Sequence, residues 1–298
     1  MALTNLRTSA DSEHFREDGV LALPGVIGND VITQLREDFW RLVSEAFAIS
    51  EDDPASWFTN PYNPAGDSRS RRLSGMNPIM EGLRSSSALS TTQDVLQATV
   101  DSLFGAGRWE PLDKWYSLLS FPGSESTWDV PQSSWHNDLP IVVGDPEPWT
   151  IFVFVFLDRV ERNTGPTLAV AGSHRRGEII AAEKGAPNER EIGAFDYTNK
   201  GLISDPATLR LLPVGELLPQ LSATDEWFGE LVGDGPSEHR EVSLMETGTS
   251  HLDIENRVVD LTGAAGDITL FDPRCLHSFS ANVSQRPRQV LRLDFRRT

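Results

Sequence analysis

The residues best suited to chemistry stand together in the segment Trp135-His136-Asn137-Asp138. In an extended strand, side chains two residues apart point to the same face. His136 and Asp138 would therefore present an imidazole nitrogen and a carboxylate oxygen side by side, as a pair of metal ligands. A third ligand has to come from elsewhere in the chain, and His277 is the best candidate.

Two histidines and one carboxylate on one face of a metal leave other coordination positions open for a substrate and O₂. This facial arrangement is typical of non-haem Fe(II) oxygenases. Spacing alone does not select the pair, because His251 and Asp253 are also two residues apart. The context favours His136 and Asp138, which precede the strongest strand pattern of the chain. We interpret His251 and Asp253 as part of an insertion or of a strand edge.

The composition limits the class of protein and its partners. The chain has 298 residues, which is enough for one large domain or at most two, and we expect a single domain over 1–298. Its net charge of −18 argues against nucleic acid or an anionic membrane as a partner, since both require basic surfaces. The single cysteine, Cys275, excludes an intrachain disulfide and a cysteine-rich metal site.

The N-terminal segment is polar, and no run of apolar residues is long enough to span a bilayer. We therefore expect a cytoplasmic protein that acts on a small-molecule substrate. Either a monomer or a homodimer is compatible with the sequence.

Helical periodicity and turn signals predict a helical N-terminal part over about 1–110, including a helix capped by Asn29 or Asp30 that extends to Phe47. The run at 150–157, rich in β-branched and aromatic residues, is the strongest strand signal. We predict a turn at residues 172–175. We interpret residues 176–250 as an insertion that is a candidate for covering the site. Further strands are predicted at 114–121, 167–171, 241–246, 257–261, 267–271 and 289–295. Many short strands after helices favour a β-sandwich or jelly roll with helices packed outside.

Arg288 stands eleven residues beyond His277, at the start of the last predicted strand. Its planar guanidinium suits a bidentate pair with a carboxylate. The alternative is an ordinary surface charge, since four other arginines lie close by, at positions 286, 292, 296 and 297. Three more arginines stand in the loop at 57–76, which is either a solvated loop or a lid that meets an anionic substrate.

In the order of its motifs, the chain resembles the phytanoyl-CoA dioxygenase family of Fe(II)/2-oxoglutarate-dependent oxygenases. The resemblance covers about 14–295, with 176–250 weakly matched. The motifs that carry it are Phe15-Arg16-Glu17-Asp18-Gly19-Val20, His136-x-Asp138, Asn163-Thr164-Gly165-Pro166, Gly172-Ser173-His174-Arg175, Gly266-Asp267, His277, Asn282 and Arg288. The chain departs from the family pattern at Thr164, inserted into an Asn-Gly turn, and at Ala171, where proline is common.

The resemblance implies a mainly β fold with flanking α-helices and a double-stranded β-helix core, a cupin-like jelly roll over about 111–298. It implies that Fe(II) is bound by His136, Asp138 and His277, and that Arg288 binds the distal carboxylate of 2-oxoglutarate, with O₂ as the oxidant. By position, Ser117 and Phe154 would flank the cosubstrate. We interpret His174, in the Gly-Ser-His turn, as structural.

The implied reaction is oxidation of an unactivated C–H bond of a small metabolite, most simply hydroxylation, with natural-product biosynthesis as one setting. Desaturation, epoxidation and rearrangement use the same oxidant. Asp138 argues against halogenation, because related halogenases have a small residue at that position. An acyl-CoA substrate would need a basic patch, and the sequence offers only Arg69–Arg72 and Arg175-Arg176.

Two other classes of function remain open at this stage. One is a non-catalytic, cupin-like protein that binds a metal or ligand. The other is a metal-dependent isomerase or hydrolase on the same fold, since fold alone does not define chemistry. Dependence on 2-oxoglutarate separates both from an oxygenase.

Overall fold

Helices dominate the N-terminal part of the chain in this computed structural model, which describes residues 9–58, 72–74, 77–123, 126–145, 147–187 and 210–298. The elements there are α1 (Ser9–Asp18), β1 (Val20–Leu23), α2 (Asn29–Phe47), a 3₁₀ helix (Pro54–Phe58), β2 (Arg72–Ser74), α3 (Asn77–Leu83) and α4 (Ser87–Phe104). Among the described helices, none combines the length and hydropathy needed to cross a membrane.

Strands dominate the rest of the chain, apart from a group of short helices between β6 and β10. The first strands are β3 (Trp109–Ser120), β4 (Ile141–Val142), β5 (Thr150–Phe156) and β6 (Thr167–Ala171). Next come α5 (Ser173–Lys184), β7 (Ala186–Pro187), β8 (Arg210–Leu212), α6 (Leu217–Ser222), α7 (Glu226–Glu230), α8 (Ser237–Glu241) and a π-helix (Val242–Thr247). The last strands are β9 (Thr249–His251), β10 (Ile254–Asp260), β11 (Ile268–Phe271), β12 (His277–Phe279) and β13 (Arg288–Arg297).

Two antiparallel sheets form the core of the fold. One has six strands in the order β1-β11-β5-β13-β3-β2, and the other has four in the order β12-β6-β10-β9. Phenylalanines of β5 and β11 in the six-stranded sheet fill the space between them, together with Val290, Cys275 and, from the four-stranded sheet, Ala169. This is the predicted mainly β, jelly-roll architecture with helices outside, and that prediction is confirmed.

The strand β5 shows why this sequence forms a layered structure. Its odd-numbered residues, Ile151, Val153 and Val155, belong to the apolar core shared with α2 and α4. Its phenylalanines at 152, 154 and 156 belong to the core between the sheets. All seven residues are buried, because helices cover one face and the second sheet covers the other. A strand buried on both faces therefore has a continuous apolar sequence instead of an alternating one.

The region predicted as an insertion packs against the outer face of the four-stranded sheet. Its helices share a third apolar core with Leu168 and Val170 of β6 and with Trp135, next to the His-x-Asp motif. Arg240 of α8 is almost fully buried and donates hydrogen bonds to the carbonyl oxygens of Val130 (3.0 Å) and Glu230 (2.8 Å). The described part of the insertion thus supports the loop before His136 from behind, and does not cover the cavity.

Three local predictions are wrong. Residues 241–246 are helical: the hairpin partner of β10 is β9, so 241–246 has no strand to pair with and a helix satisfies its backbone groups internally. The turn at 172–175 is the start of α5, with Gly172 as its N-cap. The N-cap of α2 is Gly28, and neither Asn29 nor Asp30 occupies that position. Of the predicted lid, 59–71 and 75–76 lie outside the described residues, so Arg69 and Arg71 are not described, whereas Arg72 begins β2.

His174 joins the N-terminal helix to the strand region near His277. Its Nε2 lies 3.0 Å from the carbonyl oxygen of Arg16, and its Nδ1 lies 3.1 Å from Sγ of Cys275. Burial raises the pKa of the Cys275 thiol, so the thiol keeps its hydrogen and donates it to Nδ1. The N–H of Nε2 then donates to Arg16. Gly19 completes the packing: its φ is +73°, and a Cβ there would lie 2.3 Å from Sγ.

Burial lowers the pKa of His174 to about 4, so the folded protein holds this imidazole neutral. An unfolded chain would protonate it below about pH 6.5. The unfolding free energy should therefore fall as the pH decreases from about 6.5 to 4, by about 3 kcal/mol from this group alone. Urea unfolding of wild type and His174→Gln at pH 7 and pH 4 measures the difference. Exposed His239→Gln should keep the wild-type dependence, and an equal slope in His174→Gln would refute the assignment.

Candidate metal centre

A short backbone bridge brings the two halves of the predicted triad together. The N–H of His136 donates to the carbonyl of His277 (3.0 Å), and the N–H of His277 donates back (2.8 Å). The N–H of Asp138 donates a hydrogen bond to the carbonyl oxygen of Pro273 (2.8 Å). Residues 141 positions apart in sequence therefore project their side chains into one space. The rings of His136 and His277 lie 4.2 Å apart between centroids.

Backbone carbonyls fix both imidazoles in the same orientation. Nδ1 of His136 lies 2.7 Å from the carbonyl oxygen of Ser134, and Nδ1 of His277 lies 3.0 Å from that of Cys275. A carbonyl only accepts hydrogen bonds, so each Nδ1 carries the hydrogen and each Nε2 offers a lone pair. These two Nε2 atoms lie 3.5 and 3.6 Å from the two carboxylate oxygens of Asp138.

The three side chains fit a metal ion. One ligand atom from each of His136, Asp138 and His277 lies within 4.8 Å of the other two, the only such cluster among the described residues. Burial opposes ionisation of Asp138, but the neighbouring imidazoles of His277 and His136 and the charge of Arg292 outweigh it and lower the pKa of this carboxyl. Asp138 is therefore anionic at neutral pH, as a carboxylate that could bind a metal has to be. His251 and Asp253 lie on an exposed hairpin tip and do not belong to the cluster.

A cavity of about 420 Å³ opens beside the triad, between the two sheets. Besides the triad, its lining consists of aromatic, hydroxyl and aliphatic side chains and two arginines. These residues are Tyr116, Leu118, Leu119, Ser120, Phe152, Phe154, Thr167, Ser278, Phe279, Arg288 and Arg292. The volume lies at the lower end of the range of roughly 300–1,000 Å³ for small-molecule sites.

Arg288 is a buried cation with no anionic partner among the described residues. Its Nη1 donates to the carbonyl oxygen of Gly165, while its Nε is buried without a hydrogen-bond partner. Burial lowers the pKa of its guanidinium to about 10, which measures how poorly the fold alone compensates this charge. An isolated buried charge is costly unless it is paired. The guanidinium therefore fits a carboxylate that enters from the cavity, as 2-oxoglutarate would.

Of the two residues predicted to flank the cosubstrate, Phe154 lines the cavity and Ser117 does not. Ser117 pairs with Leu291, whose side chain lies in the helix-facing core, so its hydroxyl points away from the cavity. The serine that faces the cavity is Ser120, directly opposite Arg288 on the neighbouring strand. Its Oγ is buried with no hydrogen-bond partner among the described residues, as expected of a group that awaits a ligand. No signal in the sequence could have identified it, because both faces of β3 carry apolar side chains.

Arg292 is a second cavity residue that the sequence analysis did not identify. It was grouped there with the surface arginines near Arg288. Its guanidinium lies over the rings of Tyr116 (4.1 Å) and Phe152 (3.8 Å) and forms an ion pair with Asp294. Four residues beyond Arg288 on β13, it faces the same cavity. That periodicity was the signal in the sequence that could have found it.

A jelly roll that brings two histidines and a carboxylate together beside a cavity defines a class of protein, the mononuclear non-haem iron oxygenases. Residues 15–290 match the sequence profile described as "Phytanoyl-CoA dioxygenase (PhyH)". The chain belongs to the phytanoyl-CoA dioxygenase family and is an oxidoreductase that depends on iron and 2-oxoglutarate. The predicted family, enzyme class and cofactors are thereby confirmed. Among curated proteins, no sequence matches the chain.

Solved structures with the same fold are distant in sequence. EvdO2 from Micromonospora carbonacea var. aurantiaca, complexed with 2-oxoglutarate, is 16% identical with a TM-score of 0.52, covering 100% of this chain and 94% of that one. The epimerase SnoN of nogalamycin biosynthesis, with Fe³⁺ and α-ketoglutarate, is 16% identical (TM-score 0.50, coverage 97% and 82%). The carbocyclase SnoK of the same pathway is 14% identical (TM-score 0.50, coverage 98% and 84%).

Removal of the carboxylate ligand tests the triad directly. We expect Asp138→Ala to weaken Fe(II) affinity by about a hundredfold or more, because loss of an outer partner alone typically costs 10- to 100-fold. The fold should survive, since the Asp138 side chain is 36% exposed. Anaerobic calorimetry with Fe(II) gives the affinity. Asp253→Ala, the matched change in the exposed His-x-Asp pair, should bind Fe(II) like wild type. Undiminished affinity in Asp138→Ala would show that the wrong carboxylate has been chosen.

Proposed function

We propose that this protein is an Fe(II)- and 2-oxoglutarate-dependent dioxygenase that hydroxylates an unactivated C–H bond of a small-molecule metabolite. The observation that carries the proposal is the combination of the preorganised His136–Asp138–His277 triad with an unpaired buried cation, Arg288, in one cavity. A protein that only stored metal would have no need of a buried guanidinium without a partner.

Each residue of the site has a proposed role. His136, Asp138 and His277 would bind Fe(II) on one face, and Arg288 with Ser120 Oγ would bind the distal carboxylate of 2-oxoglutarate. Phe154 would pack against the cosubstrate and help to exclude water. When bound, iron, 2-oxoglutarate and O₂ supply the oxidant: one oxygen atom enters the substrate as a hydroxyl, and the other enters succinate as CO₂ is released. The residues of the chain orient these groups and keep competing reactions out.

The cavity argues against an acyl-CoA substrate despite the family's name. Arg176, half of one of the two basic patches in the sequence, is buried and paired with Asp225 (3.3 Å), so it is not available to bind phosphates. The cavity of about 420 Å³ must also hold the metal and the cosubstrate. We therefore favour a compact specialised metabolite. Because an epimerase and a carbocyclase share the fold, product analysis is needed to distinguish hydroxylation from other outcomes.

Several expectations from the sequence stay predictions. These are a single domain over 1–298, a cytoplasmic location, a monomer or homodimer, and no nucleic-acid or membrane partner. The acidic net charge of −18 continues to support the last of them.

The proposed function is tested by succinate formation. Anaerobically purified protein loaded with Fe(II) and 2-oxoglutarate should produce succinate once O₂ is admitted, slowly without substrate and faster with a suitable member of a metabolite panel. Protein loaded with Zn(II) should produce none. Absence of succinate from Fe(II)-loaded protein under every condition would reject the dioxygenase proposal in favour of a binding protein or a different metalloenzyme.

Removal of the buried cation should separate cosubstrate binding from metal binding. We expect Arg288→Ala to raise the dissociation constant for 2-oxoglutarate about 30-fold or more, because truncation of one partner of a buried charge pair costs about 2–5 kcal/mol. Fe(II) affinity should change little. Titration of the charge-transfer absorption of the Fe(II) complex with 2-oxoglutarate measures the first constant, and calorimetry the second. Arg296→Ala, on the same strand but half-buried beside Glu110 and outside the cavity, is the control. An unchanged 2-oxoglutarate constant would assign the carboxylate to another residue.

A further inference from the structure

A second arginine occupies the cavity at a defined distance from the first. Arg288 and Arg292 lie on the same face of β13, four residues apart, which corresponds to about 13 Å along a strand. The guanidinium of Arg292 lies over Phe152, which pairs with Phe271 on the neighbouring strand. The ring of Phe271 lies 5.0 Å from that of His277. Arg292 therefore lies on the metal side of the cavity, away from the proposed position of the distal carboxylate of 2-oxoglutarate.

The guanidinium of Arg292 is held rigidly before any ligand binds. It lies between the rings of Tyr116 and Phe152. Asp294 lies at one edge of it: Nη2 donates a hydrogen bond to the carboxylate (3.1 Å), and Nε lies 2.8 Å from the other carboxylate oxygen as an ion pair. Its remaining nitrogen, Nη1, has no hydrogen-bond partner among the described residues, and the side chain lines the cavity. A guanidinium fixed on three sides has little conformational freedom left to lose when a ligand accepts a hydrogen bond.

The charges around the cavity favour an uncharged ligand at this point. Asp294 forms an ion pair with Arg292, and the lining contains one further cation, Arg288, and one anion, Asp138. Among the described residues lining the cavity, no other side chain except the histidines can be charged. Fe(II) and doubly ionised 2-oxoglutarate, which the proposed function adds, also cancel each other. A further anion in this space would be a buried charge without a counter-ion, which is costly.

We propose that Arg292 is a specificity-determining residue that binds an uncharged oxygen of the substrate, a carbonyl or hydroxyl group, through Nη1. The inference rests on the proposed function and names its substrate class: a neutral, oxygen-bearing small molecule. Asp294 sets this preference, because it removes the charge of Arg292 while leaving its hydrogen-bond donor in place.

Binding can be tested without turnover. Zn(II)-loaded protein saturated with 2-oxoglutarate is titrated with cyclohexanone or with cyclohexanecarboxylate, two probes with the same ring and different charge. Saturation-transfer NMR gives each dissociation constant and reports bound 2-oxoglutarate in the same samples. Wild type should bind cyclohexanone at least about tenfold more tightly than the carboxylate. Arg292→Met should lose about tenfold of the cyclohexanone affinity, the equivalent of one hydrogen bond to a charged donor.

Three further variants sharpen the test. Arg296→Met is the matched change at an arginine of β13 that does not line the cavity. This variant should bind both probes like wild type. Asp294→Asn should reverse the preference in favour of the carboxylate. Arg292→Lys, which keeps the positive charge beside Asp294, should lose cyclohexanone affinity by less than the methionine variant, and it guards against simple misfolding of that variant.

Several results would overturn the inference. One is equal cyclohexanone affinity in wild type and Arg292→Met, and another is a wild-type preference for the carboxylate or no binding of cyclohexanone at all. If wild type fails to bind 2-oxoglutarate, the proposed function is wrong and the inference is rejected with it. If 2-oxoglutarate binds and Arg292→Met leaves probe binding unchanged, the inference alone is rejected.

Discussion

The two reciprocal hydrogen bonds between the backbones of His136 and His277 are the constraint on which the site depends. They join the loop that enters the core to the first residue of β12, and they set the distance between two rings that have to share one ion. Carbonyls on either side then determine which ring nitrogen is free. The metal geometry is thus a property of the backbone, and the side chains contribute only their chemistry.

The loop that carries His136 and Asp138 has to be held in place, and the short helices between β6 and β10 pack against it. Their apolar side chains share a core with Trp135, while Arg240 holds the carbonyl oxygens of the approaching loop. Asn137, between two proposed ligands, is buried, and its amide donates to the carbonyl of Leu139 (2.7 Å). A region in which the sequence shows few motifs of the family therefore supports the residues of the candidate site.

The sequence was sufficient for the fold class and for the grouping of His136, Asp138 and His277, because ligand type, strand spacing and motif order agree. It was insufficient to show which face of β3 lines the cavity and which faces the helices. Trp115 faces the helices while Tyr116 and Leu118 face the cavity, so both faces are apolar and alternation does not reveal which is the interior. The error at Ser117 follows from this. The short helices were missed because five or six residues are too few for a clear helical period.

The residue spacing along β13 sets the positions of the two arginines in the cavity. The register of β13 with β3 is regular from Arg288 to Leu293, and the only irregularity of that pairing falls between Leu293 and Phe295, beyond both cavity arginines. A one-residue insertion before the bulge would turn Arg292 toward the helices and bring Leu291 into the cavity. Changes of chain length along this strand are therefore compatible with the site only on its C-terminal side. Exchange of one side chain of β13 leaves its neighbours on their own faces, whereas a residue added or removed before the bulge turns every side chain between that point and the bulge to the opposite face.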